Sequence, residues 1–203
     1  EFFPMAPTHR NSFCRYIRQY YIKLLDIPDE NVLTFDLLSE NVITQEELNA
    51  FSDPNIDLSL LTREAKDPTK SILKDILTRV SHYCDVYENR IKSLGGIGFF
   101  LGGIGPDGHI AFNQEGDALD SVTRLVKFNY PTAAQAAGDL GGIEISRGKA
   151  AMTIGLRTIT ANPDATVIIM AAGEGKAGIV RAALEDGVDK SRPASALHGH
   201  KGA

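Results

Sequence analysis

The chain has 203 residues, enough for one sizeable α/β domain or a small two-lobed protein. Its formal net charge of −5 argues against the concentrated basic stripe that a nucleic-acid or anionic-membrane surface needs, but leaves room for a phosphorylated small molecule held by one or two local cations. With no apolar run of membrane-spanning length and no signal-peptide pattern, the expected location is the cytoplasm.

Both ends are abrupt. Glu1-Phe2-Phe3-Pro4-Met5 opens on residues of buried type without an initiator Met, and Lys201-Gly202-Ala203 closes without a capped element. The expectation is one domain over residues 1–203, cut from a longer protein. From Ser12 to Leu25, apolar residues recur at Phe13, Tyr16, Ile17, Tyr20, Tyr21, Leu24 and Leu25. That period predicts a helix capped by Ser12 and stopped before Pro28. Val32 to Phe35 reads as a short strand. Residues 38–69, with Pro54 and Pro68 and no clean period, read as an irregular insertion with a short helix near Gln45 to Phe51. Ser71 to Leu94 carries Ile72, Leu73, Ile76, Leu77, Val80, Tyr83, Tyr87, Ile91 and Leu94 on one stripe, a long helix ended by Gly95-Gly96. Ile97 to Leu101 is then a buried strand. Residues 114–150 are mixed, with Gly138, Gly141 and Gly142 marking turns. Ala165 to Ala171 is a second buried strand, and a helix over 176–184 follows Gly173-Glu174-Gly175. The order is that of an α/β fold, Rossmann-like with a mainly parallel sheet covered on both faces. Cys14 and Cys84 each sit inside an amphipathic pattern and read as buried free thiols. His9 and His82 read as exposed, and His198 and His200 as structural rather than as a metal pair, so neither metal nor cofactor is expected.

In such sheets ligands bind beyond the carboxyl ends of the strands, and two sequence features point to that rim. One is the loop Gly102-Gly103-Ile104-Gly105-Pro106-Asp107-Gly108-His109, the other the turn before Lys176. Gly103 and Gly105 let backbone N–H groups approach a ligand closely. No GK[ST] follows, so this is not a P-loop, and the spacing fails the dinucleotide fingerprint. Asp107 and His109 are two residues apart; if the segment is extended, both project from one face. A carboxylate beside an imidazole orients it and suits proton transfer near neutral pH. Pro-Asp-Gly is equally a turn tripeptide, with Asp capping its own backbone. Its place after an apolar strand and a glycine loop favours the proton-handling pair. Lys176 opens a helix after a buried strand, where free N–H groups and the helix dipole favour an anion.

The string GGIGPDGHIAFNQ resembles the signature of glucosamine-6-phosphate deaminases, G-x-G-x-D-G-H-I-A-F-N-E. The likeness extends to PTHRNSFCRYIRQYYIKLLDIPDENV, to CDVYENRIKSLGGIGFFLGG, to AAGEGKAGIVRAALEDG and to SALHGH. Related 6-phosphogluconolactonases share the D-G-H core but continue differently after it. The resemblance implies that glucosamine 6-phosphate opens its ring, forms an enediol and loses ammonia to give fructose 6-phosphate. His109 matches the residue that moves the ring-opening proton, Asp107 its carboxylate partner, and Lys176 the phosphate-binding lysine. The resemblance also implies a homo-oligomer, with a small sugar phosphate as partner.

Four departures stand beside it. The family's catalytic glutamate falls on Gln114, which can hydrogen-bond but not hold a charge, and Glu115 is one place out of register. The family's enolising Asp belongs to a D-E pair whose second member is Glu1. The family's G-G-T/S-P phosphate loop is absent from the sequence. No arginine stands between Thr132 and Leu140, where Gly138 holds about the place of a phosphate ligand. Arg124 lies where effector-site residues fall in the family. The alternatives are a sugar-phosphate-binding module without turnover and a lactonase-type hydrolase.

Overall fold

The computed structural model describes residues 1–51 and 55–203. In chain order it contains β1 (Phe2–Phe3), α1 (Phe13–Ile17), α2 (Gln45–Asn49), α3 (Pro68–Ser93), β2 (Phe99–Gly103), β3 (Arg124–Lys127), α4 (Tyr130–Leu140), α5 (Ile143–Ser146), β4 (Ala150–Thr153), α6 (Leu156–Thr160), β5 (Thr166–Met170) and α7 (Ala177–Glu185). Strands β2 and β5 pair in parallel, Phe99 opposite Thr166 through Gly103 opposite Met170. Strands β1, β4 and β3 form a separate antiparallel sheet in that order. The α/β class holds, and the parallel pair is the one expected from the two apolar runs.

Helix α3 is the scaffold. Asp67 caps it by accepting from the Lys70 N–H at 2.8 Å, and Pro68 fits its first turn, where no N–H partner is needed. At the other end Gly95 and Gly96 take positive φ and release the chain towards β2. Its buried face, Ile76, Leu77, Val80, Tyr83 and Cys84, packs on Phe3 of β1 and on Ala150 and Met152 of β4. The segment expected to be an irregular insertion supplies much of the same cluster through Leu37, Ile43, Leu48, Phe51, Ile56 and Leu60. Within it, Thr44 and Glu47 form a reciprocal capping box on α2. Pro54, one of its expected breakers, lies outside the described residues. A second cluster joins Ile104, Ile110, Ile159, Ala165, Val167, Ala183 and Ala194 behind the parallel pair.

Several expectations fail for physical reasons. Residues 32–35 form no strand. Their carbonyls go to α3 instead, Thr34 O accepting from Tyr83 Oη and Leu33 O from Tyr87 Oη, each at 3.1 Å. The helix after Ser12 ends at Ile17 and continues as a π-helical turn over Arg18–Ile22, with Lys23 N–H on Arg18 O at 3.1 Å. Its apolar stripe is not buried, since Leu24 and Leu25 are 73% and 67% exposed. Gly138 marks no turn but lies inside α4, where the surrounding alanines offset a cost of about 1 kcal/mol. Gly141 and Gly142 do turn the chain, with φ of 90° and 120°. Finally, the parallel pair is covered on one face only. Val167 packs inward, whereas Phe99, Leu101, Ile168 and Met170 on the other face are 43–59% exposed. The period of two along each strand decides which residues face the α7 side.

Candidate active site

A cleft of about 470 Å³ opens at the carboxyl end of β2. Gly103, Gly105, His109, Thr132, Glu1 and Lys176 line it, together with Gln135 and Asp139 of α4 and an aromatic wall of Phe2, Phe13 and Phe112. The phenyl rings of Phe2 and Phe112 lie 5.5 Å apart. Four of the six residues singled out in the sequence therefore meet in one cavity, and Asp107 stands directly behind His109.

The loop that follows β2 is not extended. Gly105 N–H bonds His109 O at 2.9 Å and Gly108 N–H bonds Gly105 O at 3.1 Å, closing a tight turn between Ile104 and Ile110. Gly108 sits at φ +82°, a conformation that a side chain resists. The turn and the paired side chains are thus one structure, because folding Pro106-Asp107-Gly108 back on itself brings Asp107 Oδ1 to His109 Nδ1 at 2.5 Å. Both side chains are less than 10% exposed. The ring rests on Gly105, where a Cβ would overlap Cε1, Nδ1 and Nε2. Nδ1 takes Asp107 and a longer contact from Thr132 Oγ1 at 3.4 Å. Nε2 has no hydrogen-bond partner among the described residues and remains for the cleft.

Burial alone would push the Asp107 carboxyl up. Hydrogen bonds from His109 and Asn129, with the histidine charge, outweigh that and hold it at about 2. The carboxylate is ionised throughout the neutral range, so it fixes the Nδ1–H form of the ring and leaves the Nε2 lone pair available as a base.

Lys176 stands between a short 3-10 turn (Glu174–Lys176) and the first turn of α7, half-buried, and its Nζ donates to Ile104 O at 2.6 Å. That bond keeps the ammonium beside the loop.

Gln114 is placed elsewhere. It is 5% exposed and does not line the cleft. Its Nε2 donates to Lys127 O at 2.8 Å and its Oε1 accepts from Asn129 N–H at 2.5 Å, so its partners are main-chain groups rather than His109. Glu115 is exposed and takes no part. Arg124 is occupied internally by Asp117 at 2.8 Å and Asn113 Oδ1 at 2.8 Å. His198 and His200 each bond a main-chain carbonyl, of Leu184 and Asn162. No cluster of three metal-binding side chains occurs among the described residues, and none of their helices is long and apolar enough to cross a membrane.

The sequence reading missed Asn129. Its Oδ1 caps α4 by accepting from Thr132 N–H at 3.0 Å, and its Nδ2 donates to Asp107 Oδ2 at 3.0 Å. An Asn placed two residues before a Pro is a helix-start signal, and it was legible as a cap although its second bond was not.

No family model matches the chain. It is 36% identical over 186 residues to the glucosamine-6-phosphate deaminase of Borrelia hermsii, covering 89% of this chain and 67% of that protein. Over a shorter stretch of 121 residues it is 40% identical to human glucosamine-6-phosphate deaminase 2, covering 58% of this chain and 42% of that one. It spans about two thirds of the length of the Borrelia and Borreliella relatives, 67% and 64%. The solved structure of a monomeric glucosamine-6-phosphate deaminase matches at 36% identity with a TM-score of 0.54, over 59% of this chain and 48% of that one.

Proposed function

Because the chain belongs to the glucosamine-6-phosphate deaminase family, we propose that it takes part in converting glucosamine 6-phosphate and water to fructose 6-phosphate and ammonia, as in amino-sugar breakdown. The observation that carries this reading is the Asp107–His109 pair at 2.5 Å, seated on Gly105 with Nε2 left for the cleft. In the proposed reaction Nε2 takes the proton of the sugar's anomeric hydroxyl and returns it to the ring oxygen, which opens the ring. Asp107 holds the tautomer and balances the imidazolium that forms in between. Lys176 and the first N–H groups of α7 receive the phosphate, and Gly103 and Gly105 let the sugar approach the backbone. Glu1 sits in the cleft wall, its carboxylate accepting from Ser12 Oγ at 2.9 Å and Cys14 N–H at 2.8 Å. The reading needs no cofactor. The solved relative is monomeric, so family membership does not by itself carry the homo-oligomer that the resemblance implied.

The test is the release of ammonia and fructose 6-phosphate from glucosamine 6-phosphate by the full-length protein and by its His109→Ala variant. The expected result is turnover in the first and a loss of about 10²–10⁴-fold in the second, the usual weight of a general acid–base. One feature favours a binding module instead, since α4 offers Gln135 and Asp139 to the cleft and no arginine. Calorimetric binding of the sugar phosphate without ammonia release would select that reading.

A further inference from the structure

At Gln114 a neutral amide stands where the sequence signature has an acid, and the geometry gives that amide a task that an acid cannot perform. Its two ends are used in opposite senses, Nε2 donating to Lys127 O and Oε1 accepting from Asn129 N–H. A carboxylate supplies only acceptors, so it would leave the Lys127 carbonyl facing a negative charge. Lys127 ends β3 and Asn129 begins the turn into α4, so the Gln114 side chain spans the corner between them. The side chain of Asn129 is likewise used at both ends, as acceptor for Thr132 N–H and as donor to Asp107 Oδ2. Asp107 then holds His109. The bonds form one chain, Gln114 to Asn129 to Asp107 to His109, with Asp107 its one carboxylate.

We propose that Asn129 and Gln114 are positioning residues of the Asp107–His109 pair: the Asn129 amide fixes the second oxygen of Asp107, and the Gln114 amide fixes the backbone that carries Asn129. The glutamine is then a working member of the site rather than a lost acid. This rests on the proposed reaction for its kinetic readout but not for its structural one.

Capping and positioning by Asn129 are separable. Asn129→Ser and Asn129→Asp both keep a side-chain acceptor for the α4 cap. Neither retains the amide donor to Asp107, and the aspartate adds a like charge. In the full chain both variants should melt within a few degrees of the wild type. Both should lose about tenfold in kcat with KM little changed, as expected when a hydrogen bond to a charged group is removed from the reacting end of the site. Gln114→Glu should lower kcat in the same way rather than raise it. Combining Gln114→Glu with Asn129→Ser should cost less than the two losses multiplied, since they act through one path.

The second readout is the downfield proton NMR signal of the Nδ1–H bridged to Asp107, identified by its loss in His109→Ala. It should be present in the wild type and shifted or exchange-broadened in Asn129→Ser. If the wild type releases no ammonia, the proposed reaction fails and this signal alone decides the positioning role. An unchanged signal in both Asn129 variants would overturn the role of Asn129. A Gln114→Glu variant with kcat equal to or above the wild type would overturn that of Gln114. A wild-type spectrum without the signal would overturn the bond on which both depend.

Discussion

A methyl group at Gly105 would occupy the space that the His109 ring fills. Gly105→Ala should therefore displace the imidazole and cost about 1–3 kcal/mol of stability, as overpacking does. It should also reduce turnover far more than an alanine at exposed Gly116, and steady-state kinetics with chemical denaturation would check both. Asp107 gives a pH prediction whose sign is fixed. Its folded-state pKa of about 2 lies below its ordinary value of 3.8. Its bonds therefore stabilise the native state above about pH 4, and that contribution is lost as pH falls towards 2. Urea unfolding at a series of pH values should show a decline over this window that Asp107→Asn lacks.

Among the elements, α3 does more than supply an apolar face. Its buried Glu88 accepts from Thr123 Oγ1 at 2.6 Å, Thr123 N–H at 3.2 Å and Thr158 Oγ1 at 2.7 Å, tying the helix to the start of β3 and to α6. Burial pushes this carboxyl up, but the threonine hydroxyls and Lys92 outweigh that and bring it below the usual glutamate value. Glu88→Ala strands two buried hydroxyls and an amide, and should destabilise the protein by about 3 kcal/mol in equilibrium unfolding. Helix α3, β2 and β5 were legible in the sequence because long periodic or continuous apolar runs outweigh local noise. So was the Asp107–His109 pair, since glycine, carboxylate and imidazole are close in the chain. The region 114–150 was not. Strands of four residues such as β3 and β4 carry too little period to read, and Gly138 suggested a turn that the alanine-rich α4 overrides. The bonds of Gln114 were illegible for a different reason, because their partners, Lys127 and Asn129, are fixed only once β3 and α4 meet.

At the scale of the whole molecule, both thiols are sealed in the core. Burial, with Glu1 beside Cys14, pushes Cys14 up to about 12, and burial does the same to Cys84. Neither should react with a disulfide reagent at pH 8 until the chain unfolds, so labelling rates should track global stability rather than local exposure. Lys176 links distant parts more subtly. Its ammonium is held by the carbonyl of Ile104, the residue next to the glycine that supports His109. A phosphate bound there engages the same group that steadies the floor beneath the imidazole. On the proposed reaction, binding energy from the non-reacting end of the sugar is thereby delivered to the reacting end. Glucosamine without its phosphate should consequently lose kcat as well as affinity, a difference that saturating kinetics on the two sugars would measure.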